Sequence, residues 1–119
     1  MNRNMAILFS NATVLPMTAA GNAPRTFAGW VGVDGNRIAL VTESASEADA
    51  FRAAHPDARI IDCTGRLLMP GLVNTHVHLS LELPYLPYYV DKFGDAYRAM
   101  VTYRRACEAL LCGVTTLRG

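Results

Sequence analysis

The chain has 119 residues, 51% of them hydrophobic and 18% charged, with a formal net charge of +1. This ordinary globular composition is not that of a disordered chain or of a polybasic surface for nucleic acid or membrane. The basic residues are one lysine, Lys92, and arginines scattered from Arg3 to Arg118, so no stripe of positive charge marks a polyanion partner.

The opening run, "MNRNMAILFSNATVLPM", is apolar for too short a distance to serve as a signal peptide or to span a bilayer. Cys63, Cys107 and Cys112 fit no CxxC spacing and are expected to be buried, inert thiols. Together these features place the chain in a reducing cytoplasm.

From Ala6 to Ile61 the signals are mostly β. "AILFS" and "ATVLPM" read as strand segments, and "TAAGNAPRT" as a loop. The Asp-Gly of "DGN" predicts a hairpin that pairs Phe27–Val33 with Arg37–Thr42. "SASEADAFRAAHPDA" predicts a short surface helix with Ser46 as its N-cap and Pro56 as its stop. His55, before that proline, is expected on the surface. "RIIDCTGRLLMPG" returns to strand character around a Thr-Gly turn, and a first module ends at Pro70.

"GLVNTHVHL" then reads as a near-continuous strand of the kind buried on both faces in a parallel sheet. Alternation puts Leu72, Asn74, His76 and His78 on one face. A proline-containing loop, "SLELPYLPYY", leads into a helix in which Phe93, Tyr97, Met100, Tyr103, Cys107 and Leu110 form an apolar stripe. Gly113 is its expected C′ residue, and "VTTLR" follows as a second strand. Strand, helix and strand make a right-handed parallel βαβ unit.

Buried imidazoles need partners. His76 and His78, two residues apart at the end of a strand, have Cα atoms about 6.6 Å apart in extended chain and could lean toward one divalent ion. At that end of a strand parallel α/β proteins gather their active sites.

The stretch "DCTGRLLMPGLVNTHVHL", with "EALLCGVTTLRG" about thirty residues on, resembles the N-terminal part of the metal-dependent amidohydrolase superfamily. There a small β-sandwich runs through "PG(L/F)(V/I)(D/N)xHxH" into the first strand of a (β/α)₈ barrel, and "GVTT" opens the second. The implied fold is α/β, with a β-rich, sandwich-like module over residues 1–70 and the first βαβ unit of an incomplete barrel over 71–119.

The resemblance makes His76 and His78 the first two metal ligands, for zinc first and iron or manganese otherwise. It implies hydrolysis of a small molecule's non-peptide or cyclic C–N bond, or of a dipeptide-like amide, by metal-activated water. "GVTTLRG" is most similar to the imidazolonepropionase-like and prolidase-like branch, with Gly119 where that branch has an aspartate. Deaminases and chlorohydrolases of aromatic heterocycles share the first motif nearly as well.

A whole barrel takes about 250 residues, so this chain is expected to be inactive alone. Lys92 starts the helix and is not assigned to metal. Glu108 shares a solvated helix side with charged neighbours. Glu82, in the loop after the histidines, is a candidate contact to substrate or to the ligands. Tyr85, Tyr88 and Tyr89 are read as loop packing.

An uncovered parallel sheet with an open edge implies a homo-oligomer, with no nucleic acid or membrane partner. The competing reading is a non-catalytic, self-associating β-rich module that holds metal between subunits. An unrelated small βαβ binding domain is a third.

Overall fold

The structure, a computed structural model, describes residues 5–18, 25–80 and 92–119. It is a mixed α/β chain in two compact units, Met1–Pro70 and Gly71–Gly119.

The first unit is a five-stranded sheet and one helix. Strands β1 (Ile7–Val14), β2 (Phe27–Asp34), β3 (Arg37–Thr42), β4 (Arg59–Asp62) and β5 (Leu67–Leu68) are arranged in the order β3-β2-β1-β4, with β5 also on β1. β2 pairs antiparallel with both β1 and β3, whereas β4 and β5 run parallel to β1. The Asp-Gly hairpin forms as predicted, with Gly35 at φ 59°, a value that costs glycine little.

The two segments read as "AILFS" and "ATVLPM" are one strand with a bulge. Asn11 sits at φ 57°, and the register to β2 shifts between Phe9 and Ala12. The extra residue reverses the alternation of faces. Ala6 and Leu8 therefore pack with Phe51 of the helix, while Ala12 and Val14 pack with Val31 and Cys63 in a second cluster. The Asn11 side-chain amide donates to Asp62 Oδ1 at 3.1 Å and ties the bulge to the end of β4.

Helix α1 (Ala45–Ala54) has Ser44 as its N-cap residue, two positions before the expected Ser46. Ser44 is held there because its N–H donates to Thr42 Oγ1, and the Thr42 hydroxyl in turn donates to Glu47. The helix ends at His55, which is pushed to φ −129° and ψ 71° ahead of Pro56.

His55, expected on the surface, is half-buried and makes specific contacts. Its ring stacks on Phe51 with centroids 4.3 Å apart, its Nδ1 lies 3.0 Å from the Phe51 carbonyl, and its Nε2 lies 3.7 Å from Asp34 Oδ2. The opposite side of this unit is an apolar groove of about 600 Å³ that includes Phe9, Phe27, Val31, Ile38 and Leu68.

The second unit is a parallel pair, β6 (Leu72–Asn74) and β7 (Val114–Leu117), joined by α2 (Asp95–Leu111). Strand, helix and parallel strand follow the predicted order. Gly113, at φ 85°, follows the C-cap residue Cys112 as expected.

Two expectations are corrected here. The strand is only three residues long and exposed throughout, so it is neither near-continuous through His78 nor buried. Most of the apolar stripe of the helix is also exposed, Cys107 being half-buried: Met100 and Tyr103 are each 72% exposed and Leu110 62%. The seam that is covered runs through Val101, Thr102, Arg105, Ala106 and Ala109, where alanines let the helix approach its strands. Large side chains at 100, 103 and 110 are displaced from that seam by about one residue, or 100°.

Candidate metal centre

β6 stops at Asn74, opposite Leu117, and Arg118 N–H donates to the Asn74 carbonyl at 2.9 Å as the last rung of the ladder. Beyond it, among the described residues, the His76 N–H has no strand partner. The Asn74 side chain supplies one: its Oδ1 accepts that N–H at 3.1 Å, and residues 75 and 76 bend. The chain therefore leaves the strand before the histidines, and both rings stand exposed.

The bend brings the rings together. Their Nε2 atoms are 3.2 Å apart, with ring centroids at 5.1 Å and planes at 79°. As neutral rings, one donates its Nε2–H to the other's lone pair.

The same spacing fits a shared ion. Two nitrogens each about 2.0–2.1 Å from one zinc and 3.2 Å apart subtend roughly 100–106°, close to a tetrahedral angle. Among the described residues, no group of three or more His, Cys, Asp and Glu side chains could hold a metal ion. Among the described residues the pair is thus a two-nitrogen donor set without a third ligating side chain. Glu82, Tyr85, Tyr88 and Tyr89 lie outside the described residues.

The close packing behind the site comes from glycines. A Cβ on Gly71 would collide with the Thr115 side chain, and one on Gly119 would lie 3.1 Å from the Val77 carbonyl between the two histidines. Glu108 pairs with Arg104 at 3.5 Å on the exposed side of α2, away from any role in the site. Sequence reasoning missed Asn74 as more than a strand residue. The available signal was its side-chain chemistry two residues before His76, the spacing of an Asx turn.

The thiols are unpaired and differ in exposure: Cys63 is buried, Cys107 half-buried and Cys112 exposed, so inert burial holds only for the first. No helix among the described residues is long and apolar enough to cross a membrane.

The chain is 32% identical, over 130 aligned residues and 95% of its own length, to the 5-methylthioadenosine/S-adenosylhomocysteine deaminase of Desulfitobacterium hafniense. It is 42% identical over 80 residues, 67% of its length, to the 5'-deoxyadenosine deaminase of Methanothermobacter thermautotrophicus, covering 16% of that protein. It is 32% identical over 81 residues, 68% of its length, to the N-substituted formamide deformylase of Arthrobacter pascens, covering 14% of that one.

These relatives belong to the amidohydrolase superfamily. They are deaminases and a deformylase, enzymes that hydrolyse C–N bonds. The chain spans 28% of the length of the Desulfitobacterium deaminase. No family model matches the chain, and no solved structure matches it.

Proposed function

We propose that this chain is the N-terminal portion of a metal-dependent amidohydrolase, with β6 and β7 as the first two strands of a (β/α)₈ barrel and His76 and His78 as the first two metal ligands. The observation that carries the reading is the 3.2 Å approach of the two Nε2 atoms just past the C-terminal end of a parallel strand. Residues 1–70 are then the sandwich-like module that precedes the barrel.

The two imidazoles would present their Nε2 lone pairs to a divalent ion, zinc first. Such an ion supplies a water acidic enough to attack a C–N centre near neutral pH. The protein's own contribution is to hold the two rings at ion-binding distance and to leave the other sides open for further ligands and substrate.

The names of the relatives favour an amino group on a purine nucleoside over the cyclic amide of the imidazolonepropionase-like branch. Two donors fall one protein ligand short of a usual catalytic zinc site, so the chain by itself binds metal weakly and is inactive. The longer enzyme of which it is a part works on small molecules, without nucleic acid or membrane, in a reducing cytoplasm where the three thiols of this chain stay free.

A second reading is supported by the exposed faces. Met100, Tyr103, Leu110 and Leu111 on α2, and Leu72 and Val73 on β6, leave apolar surface that a self-associating module would cover. In that reading copies of the chain bring their histidine pairs together around metal.

Ammonia release from 5'-deoxyadenosine, with zinc supplied, tests the first reading. None is expected from residues 1–119 alone. Release is expected from a longer polypeptide carrying this N-terminus, with loss in His76→Ala. Undiminished release from the His76→Ala and His78→Ala double variant would overturn it.

A further inference from the structure

We infer that Asn74 is the positioning residue of the histidine pair: its carboxamide replaces the missing ladder bond at the end of β6 and sets the bend that brings His76 and His78 together. The inference rests on the metal-centre reading above and adds the residue that builds the site.

Asn74 is held from two directions. Its carbonyl takes the Arg118 N–H at 2.9 Å, which fixes its backbone on β7, and its Oδ1 takes the His76 N–H at 3.1 Å. The first bond is ordinary sheet pairing that any residue could make. The second depends on a side-chain acceptor at this position, because pairing with β7 has already ended at Asn74 and Leu117.

Without the acceptor, the His76 N–H turns to water and the bend at 75–76 loses the tie that the side chain of residue 74 gives it. The rings can then part. Gly119 supports the other side of the bend, where its lack of a Cβ admits the Val77 carbonyl. An acceptor that orients ligands without touching the ion typically changes metal affinity by about 10–100-fold when removed.

The test uses the 119-residue chain and zinc as probe, read by NMR. Asn74→Val keeps strand propensity but lacks the acceptor, Asn74→Ala removes it without branching, and Asn74→Asp retains it. In Asn74→Val the His76 amide should exchange faster with solvent, and zinc affinity, followed on the His76 and His78 ring signals, should fall by about 10-fold. His55 and the amides of Ile7–Thr42 should not move.

Asn74→Asp should restore slow exchange, a rescue that general loss of packing would not show. If Asn74→Val disrupts the second unit, Asn74→Ala carries the same comparison. Folded acceptor-lacking variants with wild-type exchange and wild-type zinc affinity would overturn the positioning role alone. A wild-type chain whose His76 amide is protected but whose rings ignore zinc would overturn the metal-centre reading and this inference with it.

Discussion

Leu8 and Val14 lie six positions apart on one strand, so plain alternation would put them on the same face, yet they pack in different clusters. The bulge at Asn11 is the cause. A residue at φ 57° must tolerate the left-handed region, which costs most side chains roughly 1–2 kcal/mol but suits asparagine and glycine. Asn11→Val is therefore expected to destabilise the chain by about 1–2 kcal/mol, and Asn11→Gly by less. Urea denaturation monitored at Trp30 measures both, and equal costs would show that backbone conformation is not what selects asparagine here.

Asp62 gives a pH dependence of definite sign. The amide of Asn11, and then the hydroxyl and N–H of Thr64, stabilise its carboxylate and hold its pKa below the ordinary value. A depressed pKa contributes stability that is present above about pH 4, the unfolded value, and is lost as pH falls through the folded value. The melting temperature of wild type should exceed that of Asp62→Asn at neutral pH, and the gap should close in acid below about pH 4. A gap that widens on acidification would contradict the assignment.

Gly32 marks a close approach between sheet and helix. A Cβ there would come within 2.8 Å of the Phe51 ring, which is itself buried against Leu8. Gly32→Ala should cost about 1–3 kcal/mol, the usual range for overpacking, measured by the denaturation midpoint. Pairing it with Phe51→Leu should relieve part of that cost. A double variant whose losses simply add would place the strain elsewhere.

The thiols should react in order of exposure. Cys112 is expected to modify first with a thiol-specific reagent under native conditions, Cys107 more slowly and Cys63 only on unfolding. Peptide mapping after timed labelling reads the order. Early labelling of Cys63 would mean that the β1–β4 core opens far more readily than its burial implies.

Much of this architecture is legible in short-range signals. Asp34-Gly35 encodes the hairpin, Pro56 the end of α1, and Gly113 the end of α2, because each acts through backbone conformation at its own or the adjacent position. What is not legible depends on side chains meeting across the fold. The bulge at Asn11 joins two apparent segments into one strand, and the Thr42 hydroxyl selects Ser44 over Ser46 at the helix start.

The histidine pair was readable as a pair, but its setting was not. "LVNTHVHL" has the apolar content of a strand, and only the hydrogen bond from His76 N–H to Asn74 Oδ1 shows that the strand ends first. The helix stripe misleads for a different reason. Periodicity identifies an apolar face without saying which neighbour covers it, and the seam actually covered runs through buried Val101 and half-buried Ala106 and Ala109.

The most direct test of the metal-centre reading is a zinc titration of the 119-residue chain followed on the ring protons of its three histidines. His76 and His78 are expected to shift together with one binding curve, His55 to stay unmoved against Phe51, and His76→Ala to abolish the response of His78. Rings at 76 and 78 that ignore millimolar zinc, or a response shared equally by His55, would contradict it.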